Sequence, residues 1–154
     1  MPTITHTSEL AAPRDDVWRH ATTMQGVNSE LMPLVKMTVP SEARGLSIAD
    51  APTGEVAFHS WLLLGGALPF DRHALKLERI EPGWEFVEES TSLMQKRWRH
   101  VRTLEDIDGG CRVTDEVTVE PRVPFLASIA ARIVDRIFTH RHEQLREQFG
   151  VFGA

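Results

Sequence analysis

Trp98, His100 and Arg102 stand at alternate positions of one segment, and Asp115 stands in the next. An imidazole beside a guanidinium and a carboxylate can move a proton on a bound substrate, or can anchor the polar end of a ligand by hydrogen bonds. Either role requires that the side chains meet. The dipeptide Asp108-Gly109 lies between two alternating runs, residues 96–107 and 110–120, and is a strong signal for a two-residue hairpin turn. Such a turn sets Arg102 opposite Asp115 and His100 opposite Val117. Alternation then gathers Cys111, Val113, Asp115, Val117 and Val119 with Trp98, His100, Arg102 and Leu104 on one largely apolar face. Arg112, Thr114, Glu116, Thr118 and Glu120 take the other. The apolar face is the inner one, so a polar cluster is turned inward. Pro82-Gly83 joins a strand over residues 73–80 to another over 84–91, whose parity points Trp84, Phe86, Glu88 and Ser90 inside. A tight connection at residues 93–95 brings Glu88 beside His100.

The same residues carry simpler readings. An inward Arg102–Asp115 pair serves first as a structural ion pair that fixes register. An inward histidine is ordinarily a hydrogen-bonded core residue, and Glu88 could face solvent. His100 and Asp115 are therefore candidates for catalysis without a committed catalytic residue. Other sites are argued against by geometry. His140 and His142 lie two residues apart on a helix and point about 200° away from each other, and no cluster with ligand spacing supports them, so no metal site is expected. Cys111 has no histidine beside it in sequence and reads as a buried small hydrophobe. Gly65-Gly66 and Gly109-Gly110 end strands with no helix start behind them to hold a phosphate. No cofactor is called for.

The elements that would position the cluster follow from periodicity. Residues 3–10 alternate and are rich in β-branched side chains, which makes a first strand. It runs into Ala12-Pro13-Arg14-Asp15-Asp16-Val17-Trp18, where proline and two acids suit a first helical turn. Val17, Trp18 and Ala21 give this helix an apolar stripe. Gly26 reads as the break before a second short helix over residues 27–32, which Pro33 stops. Strands over 34–39 and 54–64 are separated by a loop over 40–52, and residues 65–72 form another loop. Residues 124–150 read as one amphipathic helix, in which Leu126, Ile129, Ala130, Ile133, Ile137, Phe138, Leu145 and Phe149 recur at helical spacing. Phe125 and Val134 widen that stripe, a surplus suited to a ligand portal, a membrane-surface contact or a homodimer patch. From Thr139 onward the helix turns polar, with Arg141, Arg146 and Glu147, and reads as solvated on most faces. One helix cannot cover both faces of an antiparallel sheet, so the sheet must curve around it in an α+β arrangement. The enclosed space becomes core or cavity, with Phe86, Glu88, Trp98, His100, Arg102, Val117, Ile133 and Ile137 as candidate lining.

The 154 residues fit a single domain, residues 1–154, long enough to bury roughly 70% of the unfolded surface. Seventeen basic residues are scattered among twenty-two acidic ones, for a net charge of −5, which makes nucleic acid a poor partner. A single cysteine permits no intrachain disulfide and suits a reducing compartment. The opening Met1-Pro-Thr-Ile-Thr-His-Thr has neither a basic nor an apolar signal region, and no run approaches the ~18 apolar residues of a membrane span, so the cytoplasm is expected.

Several tracts together resemble a known superfamily. Strand one leads to Ala12-Pro13 and Val17-Trp18; Gly26-Val27-Asn28 and Glu30-Leu31 follow. The hairpin carries Trp98-x-His100-x-Arg102 and Gly109-Gly110-Cys111-Arg112-Val113-Thr114-Asp115, and the last helix holds Phe138-x-His140-Arg141-His142. This pattern resembles the SRPBCC superfamily, which includes START-type lipid-transfer domains, pollen-allergen-like proteins and polyketide cyclase/dehydrase-like proteins. The resemblance spans the chain and implies a helix-grip fold. Its features are a curved antiparallel sheet of six to seven strands around a long C-terminal helix, two short helices after strand one, and a deep apolar pocket. That fold hosts carriers, cyclases and regulators alike, so it names no activity and transfers no catalytic residue. Three functions are open. The first is binding, transport or sequestration of a hydrophobic, aromatic or lipid-like small molecule held at its polar end by Arg102, His100 or Glu88. The second is a cyclase- or dehydratase-like enzyme using His100 or Asp115 without metal or nucleotide. The third is a partner-binding regulator whose pocket is filled by its own side chains.

Overall fold

The computed structural model describes residues 3–151. These residues form seven strands: β1 (Thr3–Leu10), β2 (Val35–Met37), β3 (Val56–Leu64), β4 (Leu68–Glu81), β5 (Glu85–Ser92), β6 (Gln95–Ile107) and β7 (Gly110–Pro121). Neighbours pair antiparallel in the order β1-β7-β6-β5-β4-β3-β2, and the sheet curls into a half-barrel. Helices α1 (Arg14–Ala21) and α2 (Met24–Leu31) follow β1, and α3 (Ala127–Phe149) comes after a single tight turn at Pro124–Leu126. The helix-grip architecture expected from the sequence is the observed one. Helix α3 packs on β1 and β7 from one side and meets α2 on another. Among the described residues no helix is long and apolar enough to cross a membrane.

The β6–β7 hairpin has the register that Asp108-Gly109 dictates, with Arg102 opposite Asp115 and His100 opposite Val117. Cys111, Val113, Asp115, Val117 and Val119 are all buried, whereas their alternates on β7 are exposed or half-buried. On β5 the next ladder puts Glu88 opposite His100, and Phe86, Glu88 and Ser90 face inward. Trp84 does not. The return from β4 occupies Pro82, Gly83 and Trp84, so Trp84 precedes the pleat that would have turned it inside. Its ring is 45% exposed and carries the Arg14 guanidinium 3.6 Å from its centroid.

Three other boundaries differ from the sequence reading. Residues 65–72 are not one loop, because Gly65 and Gly66 both take positive φ, reverse the chain in three residues and let Leu68–Asp71 pair back onto β3. The strand expected over residues 34–39 shrinks to Val35–Met37. Gly26 lies inside α2 rather than between the helices. The break falls at Thr22 and Thr23, where the Thr23 hydroxyl accepts from the Gly26 amide as an N-cap. Glycine is required here by space, since a Cβ on it would sit 1.8 Å from the His20 carbonyl oxygen. The glycine thus lets α2 fold back tightly against the end of α1.

Helix α3 also faces differently from the expected stripe. Val134, Phe138, Arg141, His142 and Leu145 are its buried residues, so one face of its second half carries two basic side chains into the protein, while Thr139, Glu143, Glu147 and Gln148 stay exposed. Ile129 and Ile133 are more than half exposed. The core divides accordingly. One cluster, around Leu10, Val17, Leu77, Leu104 and Val113, fills the space under α1 and α2. A smaller one, of Val117, Val119, Val134 and Phe138, seats α3 on β7.

Candidate functional site

The inward polar cluster is larger than the hairpin alone would supply. Arg102 is fully buried and holds two carboxylates at once. Its Nη1 and Nη2 donate to Glu30 of α2 at 3.0 and 2.8 Å, and its Nε and Nη2 donate to Asp115 at 2.8 Å each. These two-pronged pairs use the planar fork of the guanidinium as geometry favours. Arg141 of α3 adds its Nε to Glu30 at 3.1 Å. Asp115 receives two more donors, His100 Nε2 on Oδ1 and His142 Nε2 on Oδ2, both at 2.7 Å. Burial alone would raise the Asp115 pKa. The Arg102 guanidinium and then His100 outweigh it and hold the carboxyl well below its ordinary value. Burial also works against ionised Glu30, and Arg102 and Arg141 overcome it, keeping that pKa lowered.

Donation to an ionised Asp115 fixes the tautomer of both imidazoles. In His142, burial is the main effect and lowers its pKa, so the ring is neutral at neutral pH; its Nδ1 accepts from Ser8 Oγ at 2.6 Å. In His100 the commitment of Nε2 leaves Nδ1 pointing at Glu88 Oε1, 3.8 Å away. The other oxygen of Glu88 accepts from His73 Nε2 at 2.5 Å and from Ser90 Oγ at 2.6 Å. Glu88 is buried, which opposes its charge, but His73 first and His100 after it lower its pKa below the ordinary carboxylate range.

These groups border an empty space of about 750 Å³ between the sheet and α3. Glu88, His100, His73 and Arg141 contribute polar atoms to its wall, while Phe86, Trp98, Leu75, Leu77, Ile137 and Phe138 supply apolar surface. The space opens between the β5–β6 turn, the β7–α3 connection and the start of α3. Leu93, Met94, Val123, Ile129 and Ile133 line it there and are each at least 40% exposed. The surplus read in the sequence at Phe125 and Val134 is not this rim: Phe125 is exposed outside the space and Val134 is buried against β7, and Ile129 and Ile133 take the place at the opening.

Of the residues read from sequence, Phe86, Glu88, Trp98, His100, Ile133 and Ile137 border the space. Arg102 and Val117 do not. Arg102 lies behind His100 with every nitrogen given to a carboxylate, and Val117 is covered by α3 in the smaller core cluster. Four participants went unread: Glu30, His73, Arg141 and His142. Each lies on a face that carries apolar residues. Glu30 shares a helical face with Val27 and Leu31, His73 alternates with Leu75 and Leu77, and Arg141 and His142 fall between Phe138 and Leu145 on the apolar stripe. His140, by contrast, turns away from His142 and bonds the Met32 carbonyl at 2.7 Å.

Residues 8–149 match the model of a family described as Domain of unknown function (DUF8410). The chain belongs to this family. No curated protein matches the sequence. Solved structures resemble it throughout. A protein from Chromobacterium violaceum aligns with a TM-score of 0.72 at 15% identity, over 97% of this chain and 99% of that one. The Zhui aromatase/cyclase from a Streptomyces species aligns with a TM-score of 0.70 at 13% identity, over 96% and 92% of the two chains. The Aha1 dimer from Colwellia psychrerythraea gives 0.65 at 11% identity, with both chains covered fully. At these identities the likeness is one of fold.

Proposed function

We infer that this protein is a START-like member of the SRPBCC superfamily that binds a hydrophobic or aromatic small molecule between its sheet and α3. The observation that carries this reading is the open space of about 750 Å³, walled by aromatic and aliphatic side chains and polar at its inner end. Ligand sites generally measure roughly 300–1,000 Å³ and combine an apolar wall with a few placed polar groups. The aromatase/cyclase among the structural neighbours supports the same class of ligand. The open space argues against the regulator reading, which needs a pocket filled by the protein's own side chains. The buried, unpaired Cys111 fits a reducing compartment, and the cytoplasm is the location proposed.

A solvatochromic dye should bind saturably, and Ile133→Trp at the rim should weaken that binding by roughly tenfold through lost volume and contact, a change of about 1.4 kcal/mol. Unchanged dye affinity would put the binding site elsewhere. A second reading, catalysis, is favoured by one arrangement: Asp115 orients His100 so that the free ring nitrogen faces the cavity, the geometry of a general base. In that case His100→Gln should abolish turnover of a candidate substrate with binding and melting temperature retained. Loss of binding alone would leave the carrier reading in place.

A further inference from the structure

Resting on the proposed binding in this cavity, the geometry points to a narrower ligand class: aromatic or apolar molecules carrying a protonated amine, docked amine-first on Glu88 Oε1. Arg102 bonds both Glu30 and Asp115, and Arg141 gives its Nε to Glu30. Glu88 is a third carboxylate, its side chain only 9% exposed, and no arginine or lysine reaches it among the described residues. Its Oε2 is satisfied by His73 and Ser90. Its Oε1 makes no hydrogen bond among the described residues, and His100 Nδ1 stands 3.8 Å from it. His100 gives its Nε2 to Asp115, so Nδ1 is the ring nitrogen turned toward Glu88. Glu88 Oε1 is thus a buried carboxylate oxygen at the cavity wall with room for a donor from a ligand.

The surrounding rings favour a cation over a neutral donor. Phe86 and Phe138 stand 5.4 and 5.0 Å from the His100 ring, and Trp98 stands 5.9 Å from His73. All three border the cavity. Aromatic rings around a carboxylate form the environment that attracts organic ammonium groups, because the ring faces carry partial negative charge. The exposed Arg122 and Arg136 lie on the cavity wall but away from Glu88, toward the open end, so an anionic group would bind there independently of Glu88.

The test compares naphthylmethylamine, naphthylmethanol and methylnaphthalene by calorimetry at neutral pH, in physiological salt that screens attraction to the acidic surface. The amine should bind roughly ten- to a hundredfold tighter than the alcohol, the gain a hydrogen bond to a charged group supplies. Glu88→Gln should bring the amine's affinity down to that of the alcohol, with methylnaphthalene measured on the same variant as the reference for the apolar wall. Equal affinity of amine and alcohol for the unaltered protein would overturn the assignment without recourse to a variant. So would an amine preference that survives Glu88→Gln. If methylnaphthalene binds and the ranking is absent, only the amine assignment fails; if none of the three binds, the cavity reading falls with it.

Discussion

Arg102→Met should cost about 3–5 kcal/mol of folding stability, the usual result of removing one partner from a buried ion pair. The reason is the stranding of what remains. Glu30 and Asp115 are each essentially inaccessible to solvent, and both rely on the same guanidinium for two-pronged hydrogen bonds. Without it Glu30 keeps only the Arg141 Nε, and Asp115 keeps two imidazoles. Urea denaturation measures the loss. A double-mutant cycle with Glu30→Gln should show strong coupling, because the second change removes a charge that the first had stranded. Ligand affinity should shift only as far as stability does, since Arg102 does not border the cavity. A cost below about 1 kcal/mol, the level of a surface pair, would contradict the network described.

The second large effect is on pH. Stability should fall in two stages as acid is added. His142 has a folded-state pKa below its ordinary value of 6.5, so the unfolded chain takes up that proton first. Its contribution is complete above pH 6.5 and is lost as pH falls from there toward the folded value. Glu30, Glu88 and Asp115 are lowered from ordinary values of 4.5, 4.5 and 3.8, so their contribution persists above that range and is lost as pH falls through their depressed values. A tenfold change in proton affinity corresponds to about 1.4 kcal/mol, and three carboxylates act together, so the acid stage should be the larger. His142→Gln should flatten the upper stage and leave the lower one. An unaltered profile would show that His142 does not titrate with folding.

What the sequence reveals depends on which level of structure places each residue. The inward faces of β6 and β7 are legible because one dipeptide sets the turn and strict alternation does the rest; Arg102, Asp115 and His100 follow at once. Glu88 needs one further ladder and is still reachable. Glu30 is not, because α2 meets the sheet only through tertiary packing, and nothing local distinguishes a buried glutamate awaiting an arginine from a solvated one. His142 and Arg141 are misread for the same reason: polar residues late in a helix normally face water, and here a buried carboxylate reverses that. Trp84 fails by one residue, since a turn that uses three positions instead of two shifts where alternation begins.

The most direct test of ligand binding is a methyl-resolved NMR titration with methylnaphthalene. Saturable shifts are expected for Leu75, Leu77, Ile133 and Ile137, which border the cavity, while Leu10, Val113 and Val117 stay silent although each is fully buried. Shifts confined to those silent residues, or no shifts at any concentration, would contradict it.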